Sequence, residues 1–191
     1  LLDRIVAGSY PSGPSSLPMP EIWRMLTEER VAAYNVPSGI LFDMHRDVAA
    51  RRAGVLTKVG LDTFVDPARE GCAMNARAAA APIVARAELG GETWLHFPNI
   101  VPDVAVIRAT TADEHGNLTY EHEGAYLGGL DQAIAVKAHG GLVIAQVKRV
   151  TARGSLRAHD VRVPGHLVDA IVVDPAQMQT TETPHDPAIS G

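Results

Sequence analysis

Three short apolar runs in the second half of the chain leave few folds open to it. Residues 103–108 read Asp-Val-Ala-Val-Ile-Arg, and residues 142–147 read Leu-Val-Ile-Ala-Gln-Val. A stretch with helical spacing lies between them, and a third run, Leu-Val-Asp-Ala-Ile-Val-Val, fills residues 167–173. Continuous apolar runs separated by a helix mark strands of a parallel sheet, because the crossover helices cover the faces and leave no strand side in water. The pattern predicts an α/β fold, a mostly parallel open sheet with helices on both faces. At 191 residues, a single domain over 1–191 is the expectation.

The first half adds further elements. Residues 8–20 hold two Gly, four Pro and four Ser and read as a loop. Pro20 suits the first turn of a helix running to about Arg30, with Ile22, Met25 and Leu26 on one face. Residues 31–36 read as a strand. Ser38 reads as the N-cap of a helix over about 40–52, with Leu41, Met44 and Val48 on one face and Gly54 as its C′ residue. Residues 55–58 form a short strand. Alternation over 83–97 around Gly90-Gly91 predicts an added β-hairpin. A helix over about 125–138 would bring Leu127, Leu130 and Ile134 to one side.

Charge and composition exclude several function classes. The formal net charge is -5, which argues against a general affinity for nucleic acid or an anionic membrane. No run of about 18 apolar residues is present, so no membrane span is expected. Cys72 is the one cysteine, which leaves no internal disulfide and no multi-cysteine zinc site. A reducing compartment, the cytoplasm, is expected. None of the eight histidines pairs with another at helical i, i+4 or strand i, i+2 spacing, and no metal is expected. The chain starts within an apolar run without Met and stops in a loop, so it reads as a piece of a longer polypeptide.

Strand ends carry the candidate chemistry. Pro37-Ser38-Gly39 sits between a strand and a helix N-terminus, where free N–H groups attract anions or a developing oxyanion. Thr57-Lys58-Val59-Gly60 follows the next strand in the same manner. Ser38, Gly39, Thr57, Lys58 and Gly60 are therefore candidates for an active-site wall. The turn Thr111-Ala-Asp113-Glu-His-Gly116-Asn117 reads as structural: Asp113 suits an Asx turn, and Gly116 or Asn117 suits φ > 0. Lys148, Arg149, Arg153, Arg157 and Arg162 form a basic run that reads as a solvated face. Glu123, ahead of Gly128-Gly129, reads as a carboxylate near a helix N-terminus rather than as a nucleophile.

These residues bring a resemblance into view. Val55-Leu-Thr-Lys-Val-Gly-Leu-Asp-Thr-Phe-Val-Asp-Pro67 resembles a segment of the family I CoA-transferases. Ile107-Arg-Ala-Thr-Thr-Ala-Asp-Glu-His-Gly-Asn-Leu118 and Gly140-Gly-Leu-Val-Ile-Ala-Gln-Val-Lys-Arg-Val150 resemble it too. Gly154-Ser-Leu156, Val163-Pro-Gly165 and Asp186-Pro-Ala-Ile-Ser-Gly191 continue it in order. Single-chain acetate/propionate and 3-oxoacid CoA-transferases are the branch it is most similar to. The resemblance implies exchange of CoA between a short-chain acyl-CoA and a free carboxylic acid through a glutamyl-CoA thioester. Coenzyme A is then a co-substrate, and no bound cofactor is expected. The resemblance also implies that the nucleophilic Glu lies beyond Gly191, so 1–191 is an incomplete N-terminal domain and by itself inactive. A second transferase domain or subunit and a homo-oligomer are the partners it implies. A citrate lyase alpha-type acyl transferase and a non-catalytic fragment or subunit stand as alternatives. Relatives often carry Gln where this chain has Ser38.

Overall fold

The computed structural model describes residues 2–11 and 18–177. They divide into two compact units, one formed by residues up to 47 together with 52–100, the other by 48–51 and residues from 101 onward. The centre of the expected 8–20 loop, residues 12–17, and the motif over 186–191 lie outside the described residues.

In the first unit, strand β1 (Arg4–Ala7) leads through α1 (Glu21–Thr27) to β2 (Ala32–Asn35). β1 and β2 pair in parallel, Arg4 opposite Ala32 and Ala7 opposite Asn35. α1 ends at Thr27, short of the expected Arg30. Glu29 takes φ 54°, and the Arg30 N–H returns to the Met25 carbonyl, which closes the helix. Its Leu26 packs with Val31 and Ala33, flanked by Ile22, Trp23 and Met25.

Helix α2 (Ser38–Ala49) follows. It begins earlier than its apolar pattern suggests: the Pro37 carbonyl accepts from Leu41 at 3.2 Å, so Pro37 opens the helix and Ser38 is its first residue. It also ends earlier, because Arg51 rather than Gly54 takes the left-handed conformation, at φ 56°. Ile40 and Met44 of α2 are buried against Val55, Leu95 and Phe97. Full burial of side chains such as Leu95 and Phe97 stabilises by roughly 1.5–3 kcal/mol each.

β3 (Gly54–Thr57), β4 (Ala85–Leu89) and β5 (Glu92–Pro98) form an antiparallel sheet in the order β3-β5-β4. The short α3 (Ala76–Ala79) precedes the hairpin, with Asn75 as its N-cap. The hairpin turn is Gly90-Gly91, with φ of 63° and 78°. Two positive φ values in a two-residue loop suit the twist of the flanking strands, and only glycine takes them without steric cost.

The second unit is built on β6 (Val104–Arg108), α4 (Gly129–Lys137), β9 (Leu142–Val147) and β11 (Ala170–Val173). The three strands lie parallel in the order β11-β9-β6. β7 (Thr111–Asp113) pairs antiparallel with β8 (Leu118–Thr119) and parallel with β10 (Arg149–Thr151). Ala105, Ile107, Val143, Ala145 and Val147 form one face of the main sheet and are buried with Ala133 and Val136 of α4.

α4 starts four residues later than its periodicity suggests. Leu127 at φ 47° and Gly128 at φ 68° are left-handed, and the helix can begin only after them. The expected inward stripe is also turned outward: Leu127, Leu130 and Ile134 are 66%, 39% and 37% exposed. Small residues face the sheet in its place, and a Cβ at Gly129 would lie 2.3 Å from the Tyr120 hydroxyl. Close approach of the Tyr120 side chain thus selects Gly129, and packing against the sheet selects Ala133, over the larger leucines. No helix among the described residues is long and apolar enough to cross a membrane.

Candidate active-site wall

Ser38 and Gly39 stand where β1 and β2 deliver their carboxyl ends. The Val36 N–H donates to the Ala7 carbonyl at 2.9 Å, so the exit of β2 lies beside Gly8. A Cβ at Gly8 would fall 2.2 Å from Ser38 Oγ. Only glycine lets the first turn of α2 approach the end of β1 this closely. The first N–H groups of α2 have no acceptor within the helix, and Ser38 and Gly39 beside them are exposed. Gly39 faces open space, with nothing within 4 Å of where a Cβ would stand. The wall can therefore bind an anionic oxygen through backbone N–H groups. The sequence reading passes over Gly8. Its signal is Ile5-Val6-Ala7-Gly8, an apolar strand ending on glycine, as the next strand ends on Pro37-Ser38-Gly39.

Thr57, Lys58 and Gly60 lie in a different sheet. β3 pairs antiparallel with β5, so its end is no continuation of a parallel crevice; the strand-end argument that selected these three does not apply there. Local bonding holds them instead. Thr57 Oγ1 accepts from the Val59 N–H at 3.1 Å. Lys58 Nζ donates to Glu92 at 2.6 Å and lies 5.0 Å from the centre of the Trp94 ring. Both members of this ion pair are exposed, so its stabilisation is at most about 1 kcal/mol and the ammonium can exchange partners. Gly60 has φ 96°, and a Cβ there would lie 2.7 Å from Val65 Cγ1.

The loop after Gly60 is anchored by Asp66, which is fully buried. Its carboxylate accepts from the Asp62 and Ala68 N–H groups, each at 2.9 Å, and from Arg86 Nε at 2.8 Å and Nη2 at 2.6 Å. The Arg86 guanidinium, aided by those two backbone groups, holds the Asp66 carboxyl well below the usual carboxylate range. Phe64 and Val59 on the same loop stay 43% and 59% exposed, so the anchor presents apolar side chains to solvent.

In the second unit, the turn over 111–117 has the geometry read from its sequence. Asp113 Oδ1 accepts from the His115 N–H at 2.9 Å, an Asx turn, and Gly116 takes φ 83°. The Asn117 N–H and Nδ2 also donate to Asp113, each at 3.0 Å. Burial pushes the Asp113 carboxyl upward, but the Asn117, His115 and Gly154 donors outweigh it and hold the carboxyl below its ordinary value. A Cβ at Gly165 would lie 2.0 Å from the His115 carbonyl oxygen, which explains the glycine of the 163–165 motif.

Glu123 does not open α4 as its sequence position suggests; it lies in the turn region before Gly128. Its side chain is 4% exposed, and Arg108 Nε and Nη2 donate to Oε2 at 2.9 and 2.8 Å. Gln177 Nε2 reaches Oε1 at 3.2 Å. A carboxylate held on one oxygen by an arginine and on the other by a buried amide is a poor nucleophile. The basic run divides. Arg149 bonds Glu121 and Thr111, whereas Arg157 and Arg162 line a cavity of about 390 Å³ in which Arg162 lies 4.5 Å from the Tyr126 ring centre.

Comparison with known proteins shows the family. The profile of the family described as Coenzyme A transferase matches residues 6–174. Caffeate CoA-transferase of Acetobacterium woodii is 41% identical over 87% of this chain and 32% of its own length. The crystal structure of the acyl-CoA transferase YdiF from Escherichia coli O157:H7, in a thioester complex with CoA, superposes with a TM-score of 0.83. It shows 38% identity over 90% of this chain and 34% of that one. Acetate CoA-transferase subunit alpha of E. coli K12 is 27% identical over 81% of this chain and 61% of its own. The chain thus spans about a third of the length of the first two relatives.

Proposed function

The chain belongs to the coenzyme A transferase family, and from that premise we propose that residues 1–191 form one wall of an acyl-CoA:carboxylate CoA-transferase. The observation that carries the reading is the junction of Gly8 with Ser38. Two parallel strand ends and a helix N-terminus leave N–H groups exposed beside Gly39. Such donors suit the oxyanion that forms when a carboxylate attacks a thioester carbonyl. Ser38 and Gly39 form this wall, and Thr57, Lys58 and Gly60 are proposed as separate substrate contacts on the loop after β3, with the exposed Lys58 ammonium able to leave Glu92 for an anionic substrate group.

The reaction proceeds by covalent exchange. A glutamate carboxylate supplied from outside residues 1–191 attacks the acyl-CoA carbonyl, and the C–S bond breaks to give a mixed anhydride and CoA thiolate. The thiolate then attacks the glutamyl carbonyl. The anhydride C–O bond breaks, the free acid leaves, and a glutamyl-CoA thioester remains. An acceptor carboxylate runs the same steps in reverse. The bonding of Glu123 supports assigning the nucleophile elsewhere, and the isolated chain is accordingly inactive. The cytoplasm is its proposed location.

A hybrid of YdiF carrying residues 1–191 in place of the matching segment tests this. It is incubated with acetyl-CoA, reduced with borohydride and mapped by peptide mass spectrometry. The expected result is one reduced glutamate outside residues 1–191. Reduction of Glu123, or transfer without any trapped glutamate, overturns the assignment.

A further inference from the structure

The cavity of about 390 Å³ in the second unit has no part in the proposed reaction. Its size lies within the range of roughly 300–1,000 Å³ of small-molecule sites. Glu121 and Tyr126 line it from the segment after β8, and Arg157, Asp160 and Arg162 from the loop after β10. That loop is held at both ends. The Ser155 N–H donates to the Ala152 carbonyl at 3.2 Å, and the Arg162 N–H to the Leu118 carbonyl at 2.8 Å. Val163, next in the chain, is fully buried. Arg157, Asp160 and Arg162 are thus carried on anchored backbone and are themselves exposed.

The charges around the cavity are only partly matched. Glu121 is already engaged: Arg149 Nη2 donates to it at 2.8 Å, and the Thr111 hydroxyl donates to it as well. Among the described residues Arg157 and Arg162 pair with no carboxylate, and Asp160 pairs with no cation. The Arg162 guanidinium lies over the Tyr126 ring, and Tyr126 is set edge-on against the buried Tyr120, ring centres 5.9 Å apart. Tyr126 keeps 56% of its surface exposed. A bare anion suits the two arginines but is repelled by Asp160, and a bare cation meets the opposite difficulty. A nucleoside phosphate suits all of them. Guanidiniums take phosphate oxygens, a carboxylate accepts from ribose hydroxyls, and a planar base stacks on an aromatic ring or a guanidinium plane. We propose that this cavity binds a nucleotide, with its phosphate on Arg157 and Arg162, its ribose on Asp160 and its base against Tyr126. The source is either a free nucleotide or the nucleotide end of CoA. The inference stands on the cavity and not on the CoA-transfer reading, so the two can fail separately.

Titration calorimetry of the 191-residue chain tests this, with adenosine 3′,5′-bisphosphate, AMP, CoA and inorganic phosphate as probes. At least one nucleotide is expected to bind ~10-fold or more tighter than inorganic phosphate, because ribose and base add to the phosphate contacts. Arg157→Ala and Arg162→Ala should each weaken that nucleotide at least ~10-fold, the worth of one hydrogen bond to a charged group. Asp160→Ala separates a nucleotide site from a plain anion site. It removes a hydroxyl acceptor and a repulsive charge together, so it should weaken the nucleotide while tightening inorganic phosphate. The substituted side chains are exposed, and the variants should keep the circular dichroism and thermal melt of the parent. CoA and the bisphosphate binding well ahead of AMP identify the nucleotide end of CoA as the source, and AMP binding as well as either identifies a free nucleotide. Four results overturn the inference: a folded chain that binds no nucleotide, inorganic phosphate bound as tightly as any nucleotide, nucleotide binding indifferent to both arginine substitutions, or Asp160→Ala tightening the nucleotide.

Discussion

Two of the segments that most resemble the transferase family, one in each unit, are each organised around a buried aspartate, and they solve the same problem differently. Asp66 meets a guanidinium: Arg86 closes on it with two N–H groups. Asp113 is held by neutral donors, the Asn117 side-chain amide and three backbone N–H groups. A carboxylate can therefore be kept ionised inside a protein either by one opposite charge or by a nest of amide dipoles. The difference has consequences. The Asp66 anchor ties a loop to the hairpin strand that carries Arg86, so its strength depends on long-range packing. The Asp113 anchor is mostly local and depends on the turn itself.

Removing each anchor is the most direct way to break this comparison. Asp66→Ala strands the half-exposed Arg86 guanidinium and two backbone N–H groups, and should cost about 4 kcal/mol. For a chain of this size that is a fall of roughly 8–16 °C in Tm by calorimetry. Asp113→Ala orphans the His115, Asn117 and Gly154 N–H groups and should cost about 3 kcal/mol. Asp113→Asn keeps one acceptor and should cost about half as much. An Asp113→Ala variant as stable as the parent would show that water replaces the nest.

Arg86→Met sharpens the contrast, because it touches one anchor and not the other. Arg86 is itself 42% exposed, so water replaces part of what is lost, and a smaller fall in Tm than for Asp66→Ala is expected. Acid titration reads the same contrast. Both carboxyls lie below their ordinary values in the folded chain. Each therefore contributes stability that is fully present above about pH 4, the unfolded carboxylate range, and that is lost as pH falls toward the folded value. Without Arg86 the Asp66 carboxyl protonates at higher pH, and the acid unfolding midpoint of the first unit should move upward. That of the second unit should stay where it is. The smallest effect concerns Cys72, beside the Asp66 loop at φ 66°. Burial pushes its thiol up to about 12, so native protein should resist iodoacetamide at pH 8 while urea-unfolded protein reacts. Rapid labelling of the native chain would mean that the loop opens readily.

The legible part of the structure was the part written in local patterns. Alternation over 83–97 and Gly90-Gly91 specify the hairpin, because period-two burial and paired positive φ values are properties of neighbouring residues. The apolar runs over 103–108 and 142–147 specify parallel strands, and Asp113 with Gly116 specifies its turn. The candidate wall was legible at Ser38 and Gly39, where a strand runs directly into a helix. The argument from strand ends did not carry to Thr57, Lys58 and Gly60, since nothing local distinguishes a strand that joins a parallel sheet from one that pairs with a hairpin.

What the sequence determined by itself is the kind of each element, the family, and the turn chemistry of Asp113. Tertiary structure alone decided which strands are neighbours, which face of α4 turns inward, and why Gly8, Gly129 and Gly165 must be glycine. Those outcomes depend on distances between residues far apart in the chain. Close approach of a group from a distant segment, the Ser38 hydroxyl at Gly8, the Tyr120 hydroxyl at Gly129 and the His115 carbonyl at Gly165, selects small residues over hydrophobic ones, and no periodicity in a single sequence encodes that contact.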